Sequence, residues 1–259
     1  MKEKFINFLR VYTHYPRRIL DKMLFHLLLN KSNKWELLRP YREKGILIVC
    51  NGPSLNKTPL DSIDKVSIGM NKINLIYEKT AWRPEIIVCT NGLVLKQNKD
   101  YFNQTKSLLL VPTKAYYFGI KNRDNVFFLN LKDEFKMNTD IESQISAGCT
   151  VTFLALQIAA YLKPTDVNIV GLDHSFNFNK DKEVYKMEGD DENHFSKDYF
   201  KGQYWGIPDL DQSEKLYQLS REYFDAQQVP ILDYTIDGKL QIFEKRDIDE
   251  LTTVSQTSQ

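Results

Sequence analysis

The feature that most constrains this chain is the run Ile46-Leu47-Ile48-Val49-Cys50, which stops abruptly at Asn51-Gly52-Pro53-Ser54. Five consecutive apolar residues leave no face for water. A strand inside a parallel sheet, covered on both sides, reads this way, and the small polar turn ends it. The pattern recurs at 65–70, 84–89, 107–111, 126–129, 166–171 and 230–234. Between these runs the period changes. Residues 73–79 read as helical. Residues 151–162 are too long for a strand and apolar nearly all round, so they predict a buried helix. Residues 213–227 place Leu216, Leu219, Tyr223 and Phe224 on one helical face. Strands alternating with helices predict an α/β fold with one doubly wound, mostly parallel sheet.

Three stretches stand outside that alternation. Residues 177–209 are polar with little periodicity, which predicts a long loop or lid of the kind that carries function. The tail, 252–259, is polar and reads as disordered. Residues 1–44 form a basic amphipathic helical segment, with Pro16 between two helical pieces. They carry eleven Lys or Arg against four acids, a net +7, although the whole chain of 259 residues carries only +1. That balance gives the molecule no nucleic-acid signature. The segment suits either an anionic membrane surface, through residues 1–40, or a helical hairpin packed on the domain. The α/β domain itself is expected over 45–251.

No apolar run reaches the roughly 18 residues a membrane span needs. The N-terminus is a poor signal peptide, because charges interrupt its apolar residues and no small-residue cleavage site follows. Three cysteines (Cys50, Cys89 and Cys149) without metal-ligand spacing predict buried thiols in a reducing compartment. The expected location is cytoplasmic, with a peripheral position on the inner membrane face open through the basic segment.

Ligands of such sheets bind at the carboxyl ends of the strands. Four of those ends carry small polar residues: Asn51-Gly52-Pro53-Ser54, Asn71, Thr90-Asn91-Gly92 and Gly171-Leu172-Asp173-His174. A fifth element, Ser146-Ala147-Gly148-Cys149-Thr150, opens the buried helix, and helix-start N–H groups suit a phosphate. Each alone also reads as a capped turn; together they predict a shared small-molecule site. No Gly-Lys-Ser/Thr loop, Gly-x-Gly-x-x-Gly fingerprint or Gly-x-Ser-x-Gly elbow is present. The four histidines lie apart from the cysteines, so no zinc site is expected. His194, inside Asp190-Asp191-Glu192-Asn193-His194, suits a general base near neutral pH, or else is a surface histidine. His174 follows a strand end and is a candidate for substrate contact. Asp173 suits a ribose hydroxyl or a metal.

At these residues the chain resembles the bacterial lipooligosaccharide sialyltransferases, which use CMP-sialic acid. Ile48-Val49-Cys50-Asn51-Gly52-Pro53-Ser54-Leu55 is similar to their opening motif. In order, Met70-Asn71-Lys72, Thr90-Asn91-Gly92, Ile145-Ser146-Ala147-Gly148, Ile169-Val170-Gly171-Leu172-Asp173 and Asn193-His194-Phe195 follow their later landmarks. Asp173-His174 and the segment Asn193–Phe200 more closely resemble MptE-like 6-hydroxymethylpterin diphosphokinases. That group is also related to flagellin glycosyltransferases. The resemblance covers roughly 45–245.

It implies a Rossmann-like, GT-A-variant fold with Asn51, Asn71, Asn91, Ser146 and Gly148 on the nucleotide and its phosphate. Gly52, Ser54, Ala147 and Asp173 belong to the same turns. His194 would deprotonate the acceptor hydroxyl. The sialyltransferases carry aromatic residues after Gly-Ile-Asp, where a tyrosine helps the phosphate leave; here that stretch is His174-Ser175-Phe176, and Tyr185 is the candidate replacement.

The leading expectation is a metal-independent, inverting glycosyltransferase. It would move an acidic sugar, sialic acid or Kdo-like, from a CMP-activated donor to a cell-surface or lipid-linked glycan, with no cofactor beyond the donor. The alternatives are an ATP- and Mg²⁺-dependent pterin diphosphokinase, its metal on Asp173 and the acids at 190–192, and a nucleotide-binding protein without catalysis.

Overall fold

The computed structural model of the chain describes Ile19 and residues 23–26, 34–176 and 184–253. The strands are β1 (Ile46–Val49), β2 (Val66–Met70), β3 (Ile86–Val88), β4 (Leu108–Pro112), β5 (Val126–Leu129), β6 (Leu131–Lys132), β7 (Ile145–Ser146), β8 (Val167–Val170), β9 (Val184–Lys186), β10 (Tyr204–Gly206), β11 (Ile231–Asp233) and β12 (Glu244–Lys245). The helices are α1 (Gly92–Gln97), α2 (Lys99–Phe102), α3 (Val151–Tyr161), α4 (Leu210–Ala226) and α5 (Ile248–Thr253). Eight strands form one sheet in the order β12-β11-β8-β1-β2-β3-β4-β5, and every neighbouring pair is parallel. The doubly wound α/β class is therefore observed.

The apolar run of β1 shows why both faces must be covered. Successive side chains point to opposite sides of a strand. Ile46, Ile48 and Cys50 enter the core that holds α3 and α4, while Leu47 and Val49 enter the core on the other face. Complete burial of such side chains contributes about 1.5–3 kcal/mol each. α3 is buried nearly all round, with Phe153, Leu154, Leu156 and Ile158 fully enclosed. The opposite face is covered by short 3-10 turns, by α1 and α2, and by aromatic residues of the 190–205 segment.

Several expectations change. The helix expected over 73–79 is a 3-10 turn, Ile73–Ile76. Its two buried residues, Ile73 and Ile76, lie three apart, the spacing that a 3-10 turn stacks on one side. The 177–209 segment is not wholly loop, because β9 and β10 pair antiparallel with Tyr185 opposite Trp205. α4 begins at Leu210 rather than 213, where the Asp209 carboxylate accepts from Gln212 N. The edge strand β12 was missed, since two charged residues carry no apolar signal. Of the basic N-terminal segment, Lys34–Tyr41 is a 3-10 helix whose Trp35 and Leu38 are buried in the main core. The residues before it fall mostly outside the described ones, as does 254–259.

The winding of the chain positions the site. From β1 it proceeds outward through β2, β3, β4 and β5, then returns to place β8 on the other side of β1. This reversal opens a crevice beyond the carboxyl ends of β1 and β8, where open α/β sheets bind ligands. The two ends are joined tightly. Gly52 N donates to Gly171 O at 2.9 Å, and Cys50 N to Val170 O at 2.9 Å. Ser54 N donates to Asp173 Oδ1 at 2.9 Å, and Ser54 Oγ donates to Asp173 Oδ2 at 2.7 Å.

That closeness explains both glycines. A Cβ on Gly52 would lie 1.9 Å from Asp173 Oδ2. Gly171 has φ +71°, and a Cβ there would lie 2.8 Å from Cys50 O. Replacing Gly52 forces this joint apart. We expect Gly52→Ala to lower stability by about 3 kcal/mol, the upper range for overpacking, as read by chemical denaturation. Wild-type stability in that variant would show that the two ends are not in contact.

Candidate functional site

The crevice is a cleft whose enclosed part is about 130 Å³. For scale, an apolar cavity of about 150 Å³ holds one benzene ring, so one ring of a ligand fits inside while the remainder lies toward the mouth. Its walls are the turns after β1 and β8, the residue after β2, the start of α3, the start of α4, and Asn193-His194. Six segments of the chain thus converge here.

Asn51, Asn71, Gly52, Asp173, His174 and His194 all line the cleft. Asn51 is 8% exposed. Its Nδ2 donates to Met70 O at 3.1 Å, while its Oδ1 has no hydrogen-bond partner. Asn71 Oδ1 is likewise buried and unpartnered, and Asn71 holds the left-handed φ of +52° that asparagine tolerates better than most residues. A buried acceptor left unmatched costs free energy. Both belong to residues that line one cleft.

Ser54 and Asp173 serve each other. Both Asp173 oxygens accept from Ser54, and Ser54 does not reach the cleft wall. Burial holds the Asp173 carboxyl above its ordinary range, against the pull of the two Ser54 bonds. Both of its oxygens are engaged in joining the ends of β1 and β8, although the residue also lines the cleft.

The helix start enters the cleft, but at different residues from those expected. Thr150, Val151 and Thr152 line it, whereas Ser146, Ala147 and Gly148 do not. Ser146 N donates to Gln157 Oε1 at 3.2 Å, Ala147 N donates to Lys132 O at 2.8 Å, and Ser146 is fully buried. Gly148, at φ +58°, packs so closely that a Cβ would lie 2.6 Å from Phe153. These residues make the turn that feeds α3. The N-cap is Thr150, whose side chain accepts from Thr152 N. Asn91 is also displaced: its side chain caps α1, accepting from Leu93 N at 2.9 Å and Val94 N at 3.4 Å, and it does not line the cleft. Tyr185 lies in β9, but its side chain is outside the described residues.

His194 is built into the wall. Its Nδ1 lies 2.9 Å and 3.1 Å from the two oxygens of Asp191, a carboxylate with no solvent exposure. Its ring stacks on Tyr199 at 4.1 Å and 8°, with Phe200 and Trp205 edge-on. With Nδ1 committed to Asp191, Nε2 is the nitrogen left to meet a substrate. Asn193 N also donates to Asp191, at 2.9 Å. His174, at φ +51°, pairs through Nε2 with Glu214 at 2.8 Å and lies edge-on to Tyr217.

Residues that sequence reasoning missed include Tyr217, whose buried hydroxyl is 3.4 Å from Thr150 Oγ1 at the cleft wall. Lys72 is another, 4% exposed, and its burial lowers its pKa to about 8 against the opposing pull of Asp191 and Cys89. Of the three thiols, Cys50 and Cys89 are buried as expected, but Cys149 is exposed because it sits in the turn before α3. Burial pushes Cys50 up to about 12, which suits packing rather than nucleophilic work. Among the described residues, no group of three or more His, Cys, Asp and Glu is arranged to hold a metal ion. None of the described helices is long and apolar enough to cross a membrane.

No family model and no curated protein matches the chain. Among solved structures it is similar to the MAf glycosyltransferase from Magnetospirillum magneticum AMB-1, with a TM-score of 0.52 and 13% identity. The match covers 83% of this chain and 37% of that one. The likeness is one of fold: a Rossmann-like α/β sheet shared with a glycosyltransferase.

The displacement of Asn91 gives a direct check. Asn91→Ala should cost about 1 kcal/mol of stability, the usual value of an N-cap, as read by chemical denaturation. Wild-type stability in that variant would remove Asn91 from the cap role.

Proposed function

We propose that the chain is a glycosyltransferase in which His194 is the general base. The observation that carries this reading is the pairing of His194 Nδ1 with the buried carboxylate of Asp191, at the mouth of a switch-point cleft. As the acceptor oxygen bonds to the anomeric carbon, its proton passes to His194 Nε2, and the bond from that carbon to the donor's phosphate oxygen breaks. Asp191 stabilises the imidazolium that forms, as a buried carboxylate does for any such base. The departing phosphate takes the electron pair. The positive end of α3, at Thr150–Thr152, offers it a favourable dipole.

The donor on this reading is a CMP-activated acidic sugar. A nucleoside monophosphate leaves readily, so the step requires no metal and no further cofactor. Asn51 Oδ1 and Asn71 Oδ1 accept from the nucleotide's N–H or hydroxyl groups. His174 lies beside the transferred sugar. Direct attack on the donor inverts its anomeric centre. The acceptor is a cell-surface or lipid-linked glycan, and the basic segment 1–40 brings the enzyme to an anionic membrane surface on the cytoplasmic side. The resemblance of the Asn51–Ser54 turn and the shared fold support this assignment.

The diphosphokinase reading asks Asp173 and the acids at 190–192 to hold Mg²⁺. Asp173 is engaged by Ser54, Asp191 by His194, and Asp190 by Lys197 and Lys201. Their first partners are protein groups, which favours the sugar-transfer reading.

Two measurements test the assignment. In a thermal-shift panel of CMP, CDP, UDP and ATP, each with and without Mg²⁺, CMP should stabilise without metal. Ligand at a hundredfold its Kd adds about 2.7 kcal/mol. Selective stabilisation by Mg-ATP would sink sugar transfer in favour of the kinase. Separately, His194→Ala should lower turnover by about 10²–10⁴-fold while CMP still binds. Near-wild-type turnover would remove His194 from the base role, and binding without turnover in every chain would leave a nucleotide-binding protein.

A further inference from the structure

Lys72 is the residue after Asn71 at the carboxyl end of β2, and its ammonium points away from water. Lysine is almost never fully buried unless it is paired. Here the pairing is directed wholly at one segment. Lys72 Nζ donates to Tyr199 O at 2.6 Å and to Gln203 Oε1 at 2.5 Å. It sits over the Phe200 ring at 4.5 Å and the Tyr199 ring at 5.5 Å. Its backbone N–H donates to the Tyr199 hydroxyl at 3.1 Å. The Tyr199 ring is the surface on which the His194 imidazole lies flat. The titratable groups that face Lys72 are the Asp191 carboxylate, from the same segment, and the Cys89 thiol after β3, which burial holds in its neutral form.

Other links between this segment and the sheet are fewer. Phe195 N donates to Asn51 O at 3.0 Å, and Asn56 Nδ2 donates to Phe195 O at 2.8 Å. Both hold the end near His194 to the β1 turn. Lys72 Nζ hydrogen-bonds Tyr199 and Gln203 and lies over Phe200, while the Tyr199 and Phe200 rings, which touch the imidazole, also pack in the apolar core on that face of the sheet. Burying an ammonium carries a desolvation cost that only well-made partners offset. An apolar residue would fill the same space with no such cost, but it would supply no donors.

We propose that Lys72 is the positioning residue for His194, latching the segment 190–203 to the end of β2 so that the imidazole is held flat, with Nδ1 on Asp191. The claim rests on the reading of His194 as the base only for its kinetic consequence. The latch itself is a structural statement and is tested separately.

The test uses the full chain as wild type, Lys72→Met, Gln203→Ala and His194→Ala. Amide exchange and the ¹⁵N spectrum of the imidazole are recorded, the His194 signal being identified by its loss in His194→Ala. In wild type the imidazole should show a single tautomer, protonated at Nδ1. In Lys72→Met, exchange across 190–203 should accelerate by about tenfold or more while β1–β5 stay protected, and the His194 tautomers should average. Turnover should fall by about 10²-fold, the effect of misplacing a catalytic group by about 1 Å, with the donor KM within about threefold of wild type. Gln203→Ala, which removes one acceptor, should show the same local changes to a smaller degree, and it decides the matter if Lys72→Met does not fold.

Unchanged exchange and tautomer in both variants overturn the latch. Loss of protection spread evenly over the sheet also overturns it, because Lys72 would then support the fold and not the ring. If His194→Ala keeps its turnover, the base assignment fails, and the exchange data still judge Lys72.

Discussion

Ser54 donates two hydrogen bonds to the carboxylate of Asp173, and that pair ties together strand ends far apart in sequence. Gly52 and Gly171 let the backbones come close enough for it to form. Everything on the carboxyl edge is placed relative to this joint. It fixes the turn that presents Asn51, and it fixes the path that turns His174 toward Glu214. A looser joint would leave the cleft without a defined width. The cost of keeping this carboxyl out of water is offset in part by the two Ser54 bonds.

The opposite wall is organised by different chemistry. There a lysine, a carboxylate and an imidazole are interleaved with Tyr199, Phe200 and Trp205. The aromatic rings exclude water, which strengthens each electrostatic contact and raises the penalty for losing any one. One wall of the cleft is therefore backbone-rich and rigid through its glycines, and the other holds its shape through side-chain charge.

The sheet was legible in the sequence because burial on both faces leaves no polar residue in strands such as β1 and β4. The crevice was legible because several small polar strand ends fall on one edge of a parallel sheet, where ligands bind. Individual roles were harder to read. An asparagine before a glycine at a strand end is equally good as a ligand and as a helix cap, and Asn91 is the cap. Ser146 and Thr150 both offer a hydroxyl before the apolar helix; Gly148, needed for its positive φ, moves the true start to Thr150. Nothing in Asp190-Asp191-Glu192 shows which acid turns inward. Lys72 reads as a surface residue, because burial of lysine depends wholly on partners more than a hundred positions away.

The strand order has a consequence for how the molecule is made. β1 pairs with β2 close by, but its other edge waits for β8, with Ile46 opposite Val167. Contacts spanning so much chain are slow to form, because loop closure must come before any reward from pairing. During synthesis, β1 through β5 emerge in the order in which they stand side by side, and they can zip together as they appear. The cleft has no such early form. Twelve of its twenty lining residues lie beyond 166, so the cleft is complete only once β8 and the segments after it have docked. A nascent chain therefore carries the turn Asn51 to Ser54 without its partner Asp173 until β8 has been made, and the joint between the two strand ends closes late.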